Sequence, residues 1–219
     1  MDPPGYLELA SHYDACLKEH GDTAKGADWP NQPDREVRFE VMLDVLRRDA
    51  SSRIELLDFA CGTGDLLRYM RSRNVTRVDY RGADISDEAL GLARQKFPDT
   101  HFTCIDVLRA NDGDVAALAA DYCIINGLFT IRRSLPEAEM WSFLRRVVSR
   151  LWPLMRKGIA FNAMSKHVDF ERDDLFHLPY DQAAEFLHRL AGMNIAFRAD
   201  YGLYEYTCFA FKPAAIARP

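Results

Sequence analysis

No apolar run in the 219-residue chain approaches the ~18 residues that cross a bilayer. The first residues, MDPPGYLELA, have neither the basic n-region nor the apolar h-region of a secretory leader. These two absences predict a cytoplasmic protein with no membrane partner. Excess positive charge is missing too: 28 Lys and Arg stand against 33 Asp and Glu, a net charge of −5. A phosphate-binding surface normally carries a basic excess, so no nucleic-acid partner is expected. Metal-binding spacing is lacking as well. The five cysteines, Cys16, Cys61, Cys104, Cys123 and Cys208, are scattered and odd in number, with no C-x-x-C or Cys/His pattern of a zinc site. They read as small core residues in a reducing compartment, and no metal is expected. There is no internal repeat or low-complexity tract. What the chain does have is 48% apolar residues and a length that lets it remove roughly 70% of its unfolded surface from water, enough for one core without disulfides.

Turn-forming residues concentrate between Gly21 and Asp34 (GDTAKGADWPNQPD). This stretch divides a short helical lead-in over residues 1–33, a candidate lid, from a main domain over residues 34–219. Asp34 is placed to cap a helix through about Arg47, with Val37, Val41, Met42, Val45 and Leu46 at helical spacing. From Ile54 the period changes. Ile54–Phe59 has the length and apolarity of a buried strand, and the ACGTG turn leads from it into the helical pattern Asp65-Leu-Leu-Arg-Tyr-Met. A second strand spans about Val78 to Ala83, and Ser86 caps a helix with Asp87 and Glu88 in its first turn. Further strands are expected at His101–Ile105, Asp121–Asn126 and Gly158–Ala163, with Ser134-Leu-Pro-Glu137 as a capping box before a helix ended by Pro153. Strands alternating with helices imply a parallel sheet covered on both faces. After a helix over Asp181–Ala191, the runs Ile195–Asp200 and Tyr204–Phe211 are joined by Tyr201, Gly202 and Leu203 alone. That connection is too short for a parallel crossover, so the last strand runs antiparallel. The expected fold is therefore α/β: Rossmann-like, doubly wound and mostly parallel, seven-stranded, with an antiparallel C-terminal strand.

The most informative segment is Asp58-Phe-Ala60-Cys-Gly62-Thr63-Gly64-Asp65. Glycines between a strand and a helix N-terminus let backbone approach a ligand and present N–H groups to it. A tight turn with no ligand is the plain alternative. Asp84, twenty residues beyond Gly64 at the end of the next strand, is suited to accept hydrogen bonds from a ribose diol. A dinucleotide turn needs a third glycine, and Leu67 stands there instead.

The segment resembles the first motif of the class I S-adenosylmethionine-dependent methyltransferases, an acidic residue two before a G-x-G-x-G turn, with Ala60 at the first glycine position. Such an alanine is expected only where that position does not need positive φ. The resemblance extends from residue 54 to 212. It implies that Asp84 takes the ribose, that Ile85 lies against the adenine, that Asp106 beside Val107 takes the adenine amino group, and that Asn126-Gly127 meets the methionine moiety. Tyr13-Asp14, Gly26-Ala-Asp28-Trp29, Arg38-Phe39, Ser165–Phe170 and Asp200–Tyr206 are similar to segments of a group of small bacterial methyltransferases of unsettled substrate.

The resemblance implies S-adenosylmethionine as cofactor and S-adenosylhomocysteine as product, with a small-molecule acceptor. The turn Asn126-Gly-Leu-Phe129 lacks the prolines of enzymes in that family that methylate nucleobase nitrogens, which argues against a nucleobase acceptor; a hydroxyl of a metabolite or sugar-like compound is the expected nucleophile. Of the six histidines, His167 and His177 flank the polar segment after the fifth strand, at the edge where open α/β sheets place ligands, and are the candidate bases. Tyr13 and Trp29 are candidates for a lid over the cofactor, with simple packing as the alternative. Arg38 is a candidate partner for the cofactor carboxylate. Phe170, Phe176, Tyr180, Tyr201 and Tyr204, in connecting segments, are candidates for an apolar acceptor pocket. Two other readings stay open: an NAD(P)-dependent oxidoreductase, and a methyltransferase-like module without catalysis. The assembly is expected to be a monomer or homodimer.

Overall fold

Ile54–Phe59, the apolar run before the glycine turn, forms strand β1 of a sheet with helices on both faces in a computed structural model that describes residues 4–213. The chain begins with helix α1 (Tyr6–His20) and helix α2 (Gln32–Leu43). After β1 it runs through α3 (Asp65–Ser72), β2 (Val78–Asp84), α4 (Asp87–Lys96), β3 (His101–Cys104), α5 (Asp112–Ala116), β4 (Ala120–Ile125) and α6 (Glu137–Leu151). It ends with β5 (Met155–Ser165), β6 (His177–Leu178), α7 (Tyr180–Ala191), β7 (Ile195–Arg198) and β8 (Glu205–Phe211). The sheet order is β3-β2-β1-β4-β5-β8-β7, parallel from β3 to β5 and antiparallel on both sides of β8. These seven strands are those the spacing implies. The two-residue β6, paired with β5, is an eighth that the sequence pattern does not reveal.

Alternation along β1 builds two cores. Leu57 and Phe59 face a layer with α1, α6 and α7, while Ile54 and Leu56 face one with α2, α3 and α4. Strand order reverses between β1 and β4: β1, β2 and β3 step one way, β4 and β5 the other. The helices on either side diverge there and leave a crevice at the carboxyl ends of the strands, where open α/β sheets hold ligands.

Local signals near the termini of elements differ from expectation in three places. Asn31, not Asp34, is the N-cap of α2: its side chain accepts from Asp34 N at 2.8 Å, with Pro33 in the first turn, and the helix gives way to a 3-10 turn at Asp44–Leu46. Ser134 does not cap α6, which starts after Pro136; its hydroxyl donates instead to the Glu8 carboxylate at 2.6 Å. The terminal hairpin strands stop at Arg198 and start at Glu205, so the connection is longer than Tyr201–Leu203, yet the antiparallel pairing Ile195↔Ala210 through Arg198↔Thr207 holds. Ser86 caps α4 as its position implies, accepting from Ala89 N at 3.1 Å.

Candidate active site

The turn after β1 is left-handed at three residues: Ala60 (φ 62°), Gly62 (φ 53°) and Gly64 (φ 81°). Ala60 corrects the sequence expectation, since an L-residue pays ~1–2 kcal/mol for this conformation. Backbone bonds hold it there, Ala60 N and Cys61 N both donating to Ala83 O at 2.8 and 3.1 Å.

Asp84 stands at the end of β2, directly beside this turn. Its Oδ2 accepts from Gly62 N at 2.7 Å and its Oδ1 from Ser86 N at 2.9 Å. The Gly62 amide is thus committed to the carboxylate rather than left bare. Burial pushes the Asp84 carboxyl up, against the pull of the Ser86 and Gly62 amides toward the ionised form. Asp106, after β3, accepts from Leu108 N at 3.0 Å and from the Tyr6 hydroxyl at 2.7 Å. Asp58 lies deeper, 3% exposed, taking the Tyr80 hydroxyl at 2.6 Å. Desolvation, reinforced by Asp84 and Asp65, pushes its carboxyl up to about 7.

The lead-in folds across this crevice. Tyr13 donates to Gly127 O at 3.3 Å, Ser86 donates to Asp14 at 2.5 Å, and Thr63 donates to Asp22 at 2.6 Å. Lys96 reaches Asp22 at 2.8 Å. The Trp29 ring lies so close to Gly127 (φ 85°) that a Cβ there would sit 2.6 Å from it, so only glycine fits this approach.

One cavity results. It is lined by Asp58, Ala60, Gly62 and Thr63 from the turn, by Asp84, Ile85, Asp106 and Val107 from the next two strand ends, by Asn126 and Gly127 after β4, and by Tyr13 and Trp29 from above. Asn126 Oδ1 is buried with no hydrogen-bond partner among the described residues. Such an atom asks for a donor, and a ligand in this cavity can supply one. A second cavity adjoins the first across Tyr13, Ala27 and Trp29, with Phe170 and Tyr204, 74% and 65% exposed, among its walls.

Several expected site residues lie outside the first cavity, although Arg38 and His177 are in the wall of the second. Gly64 shapes the turn but does not line the first cavity. Arg38 is turned into the protein, its Nε held by both Glu205 oxygens at 3.0 and 2.9 Å and its guanidinium 4.4 Å from the Trp29 ring. A buried carboxylate claims its Nε, while its Nη1 is buried with no hydrogen-bond partner among the described residues. His177 is 4% exposed, with Nδ1 2.6 Å from Ser165 O and Nε2 accepting from Arg172 N at 3.3 Å. Both ring nitrogens are engaged in hydrogen bonds to the backbone. His167 is exposed, tilted on Tyr180 at 5.6 Å, and lines neither cavity. Of the connecting aromatics, Phe176 is buried in the core and Tyr180 stacks on Tyr206 at 4.1 Å. Tyr201 packs with the opposite core. Sequence reasoning missed Tyr6, Asp14 and Asp22, whose partners lie 100, 72 and 41 residues away. No periodicity encodes contacts at that separation.

Residues 57–153 match the methyltransferase domain family. The chain is 28% identical over 170 residues to Rv1506c of Mycobacterium tuberculosis (strain H37Rv), a protein whose name assigns it to the methyltransferases; the alignment covers 75% of this chain and 96% of that one. Magnesium protoporphyrin IX methyltransferase from Synechocystis PCC 6803, solved with S-adenosylmethionine bound, shares the fold at a TM-score of 0.65 and 13% identity, covering 96% of this chain and 98% of that one. The plantazolicin methyltransferase BpumL, solved with a pentazolic desmethylPZN analog and S-adenosylhomocysteine, shares it at 0.59 and 15%, covering 94% and 98%.

Proposed function

We propose that this chain is a class I S-adenosylmethionine-dependent methyltransferase whose first cavity holds the cofactor and whose second admits a small organic acceptor bearing a hydroxyl, a metabolite or sugar-like compound. The observation that carries the reading is the convergence of Asp84, Asp106 and the unpartnered Asn126 Oδ1 on one cavity. The residues present suit the cofactor. Asp84, held by two backbone amides, keeps acceptor capacity for ribose hydroxyls, with Ala60, Gly62 and Thr63 beside it and the apolar Ile85 and Val107 toward the base. Asp106 is positioned by Tyr6 for the exocyclic amine. Asn126 Oδ1 gains the donor it lacks from the ammonium of the amino-acid end, beside Gly127. Asp58 supports the turn from below.

When bound, S-adenosylmethionine supplies an electrophilic methyl group on a sulfonium. The protein then has to orient the acceptor and exclude water. Residues 4–33 act as the lid that does the second, with Tyr13 and Trp29 over the cofactor cavity at the place where it meets the acceptor cavity. Polar and aromatic walls in the second cavity, Thr130 and Arg172 with Phe170 and Tyr204, favour an acceptor with both ring faces and hydroxyls. The nicotinamide reading loses its basis, because Leu67 fills the third glycine position as a buried core residue.

Calorimetric titration with S-adenosylhomocysteine tests the cofactor site, and no heat of binding at high micromolar ligand removes it. Transfer of labelled methyl to a panel of hydroxylated and amino-bearing small molecules tests the acceptor: label on amines alone rejects the hydroxyl assignment.

A further inference from the structure

Outside the cofactor cavity, three potential metal ligands from two parts of the lid meet in the wall of the second cavity. His12 and Cys16 stand one helical turn apart on α1, and Asp28 follows the 3-10 turn after it. Helical spacing at i, i+4 puts the first two on one face, a pattern that scattered cysteine counts do not expose. His12 Nε2 lies 2.8 Å from Asp28 Oδ2 and 3.6 Å from Cys16 Sγ, and one ligand atom from each residue lies within 4.8 Å of the other two. We propose that His12, Cys16 and Asp28 bind a divalent transition metal of the zinc class.

Donor chemistry and spacing both support this. Nitrogen, thiolate and carboxylate are the ligand types of zinc, and tetrahedral coordination puts the nitrogen and sulfur about 3.5 Å apart, which the pair already matches. The nitrogen and oxygen need about 3.3 Å, so the His12–Asp28 hydrogen bond opens by about half an ångström and is exchanged for the metal. Atoms balance simply. The Cys16 thiol releases its proton to solvent, the imidazole exchanges the Nε2 proton shared with Asp28 for one on Nδ1, and Nε2 donates its freed lone pair to the cation. A water or a ligand in the second cavity takes the fourth position. The metal then ties α1 to the segment that carries Trp29. The site stands independently of the methyl-transfer reading.

Full-length protein, stripped with chelator and kept under a phosphine reductant, is titrated with Co2+ in the absence of any nucleoside. One equivalent is expected to produce a thiolate-to-cobalt band in the near ultraviolet and tetrahedral d–d bands in the visible, both bleached by Zn2+. Cys16→Ser removes the near-ultraviolet band, and His12→Gln and Asp28→Asn each weaken Co2+ binding about ten-fold or more. No thiolate band in the unmodified protein overturns the proposal, as does a band that survives Cys16→Ser or affinities unmoved by the other two variants. A second measurement needs no variant: Zn2+ should slow alkylation of Cys16, read by peptide mass, while the exposed Cys104 reacts as before. Equal Cys16 alkylation with and without Zn2+ refutes the site.

Discussion

Replacing Asp84 separates two roles that the structure assigns to one carboxylate. Each oxygen takes a backbone amide, Gly62 N at 2.7 Å and Ser86 N at 2.9 Å, and the same oxygens face the proposed ribose position. Asp84→Ala removes both anchors and leaves two amides in a site whose burial already raises the carboxyl. An unsatisfied buried donor costs ~1–3 kcal/mol, so with two of them the variant is expected to lose about 2–6 kcal/mol of stability. Asp84→Asn keeps one good acceptor for one of those amides and should lose roughly half as much. Binding responds differently. Hydrogen bonds to a charged group contribute about 1.5–3 kcal/mol, and neither variant offers a carboxylate to the ribose, so both should bind S-adenosylhomocysteine roughly 10- to 150-fold more weakly. Urea unfolding gives the stability difference, and calorimetry on the folded fraction gives the affinity. Unchanged dissociation constants in both variants would place the ribose elsewhere and refute the reasoning; equal stability of the alanine and asparagine forms would refute the anchoring role.

Gly127→Ala forces a left-handed alanine and a Cβ 2.6 Å from Trp29, so the lid is expected to lift; tryptophan fluorescence should shift and cofactor-product affinity fall about ten-fold or more, whereas wild-type emission and affinity would mean that Trp29 does not close the site. Asp58, pushed up to about 7 when folded, binds its proton more tightly there than in the unfolded chain. The stability that Asp58 contributes is therefore fully present below about pH 4 and is lost as pH rises through about 7, by up to about 4 kcal/mol. Urea midpoints at pH 5 and pH 8 should converge in Asp58→Asn, and an undiminished pH slope in that variant contradicts the assignment. Arg38→Met strands Glu205, 2% exposed, without its cation and should cost about 3–5 kcal/mol, recovered in large part by Arg38→Met with Glu205→Leu; a neutral single variant would show the pair to be dispensable.

Strand alternation, the glycine turn and the acidic residue near the end of each of the first three strands were legible because they are local. Asp58 lies next to last in β1, Asp84 closes β2 and Asp106 follows β3, and parallel order then brings the carboxyl ends of those strands together. The roles given to histidines were not legible in the same way. His177 and His167 occupy the expected edge in chain order, but whether an imidazole is free depends on which backbone groups surround it, and Ser165 O and Arg172 N already claim His177. Arg38 failed for a related reason: its partner Glu205 is 167 residues away.

From sequence alone, the alternation of helices and strands and the order of the carboxylates were determined, because backbone period and turn chemistry act between near neighbours; the class of cofactor came from the family resemblance of the glycine turn. Only the tertiary structure decided that the lead-in lies across the crevice through Tyr6, Tyr13 and Asp22, that Ala60 adopts a left-handed turn, and that Asn126 keeps a buried oxygen unpartnered. Those outcomes depend on which distant groups compete for the same hydrogen bond, and that competition exists only once the chain is folded.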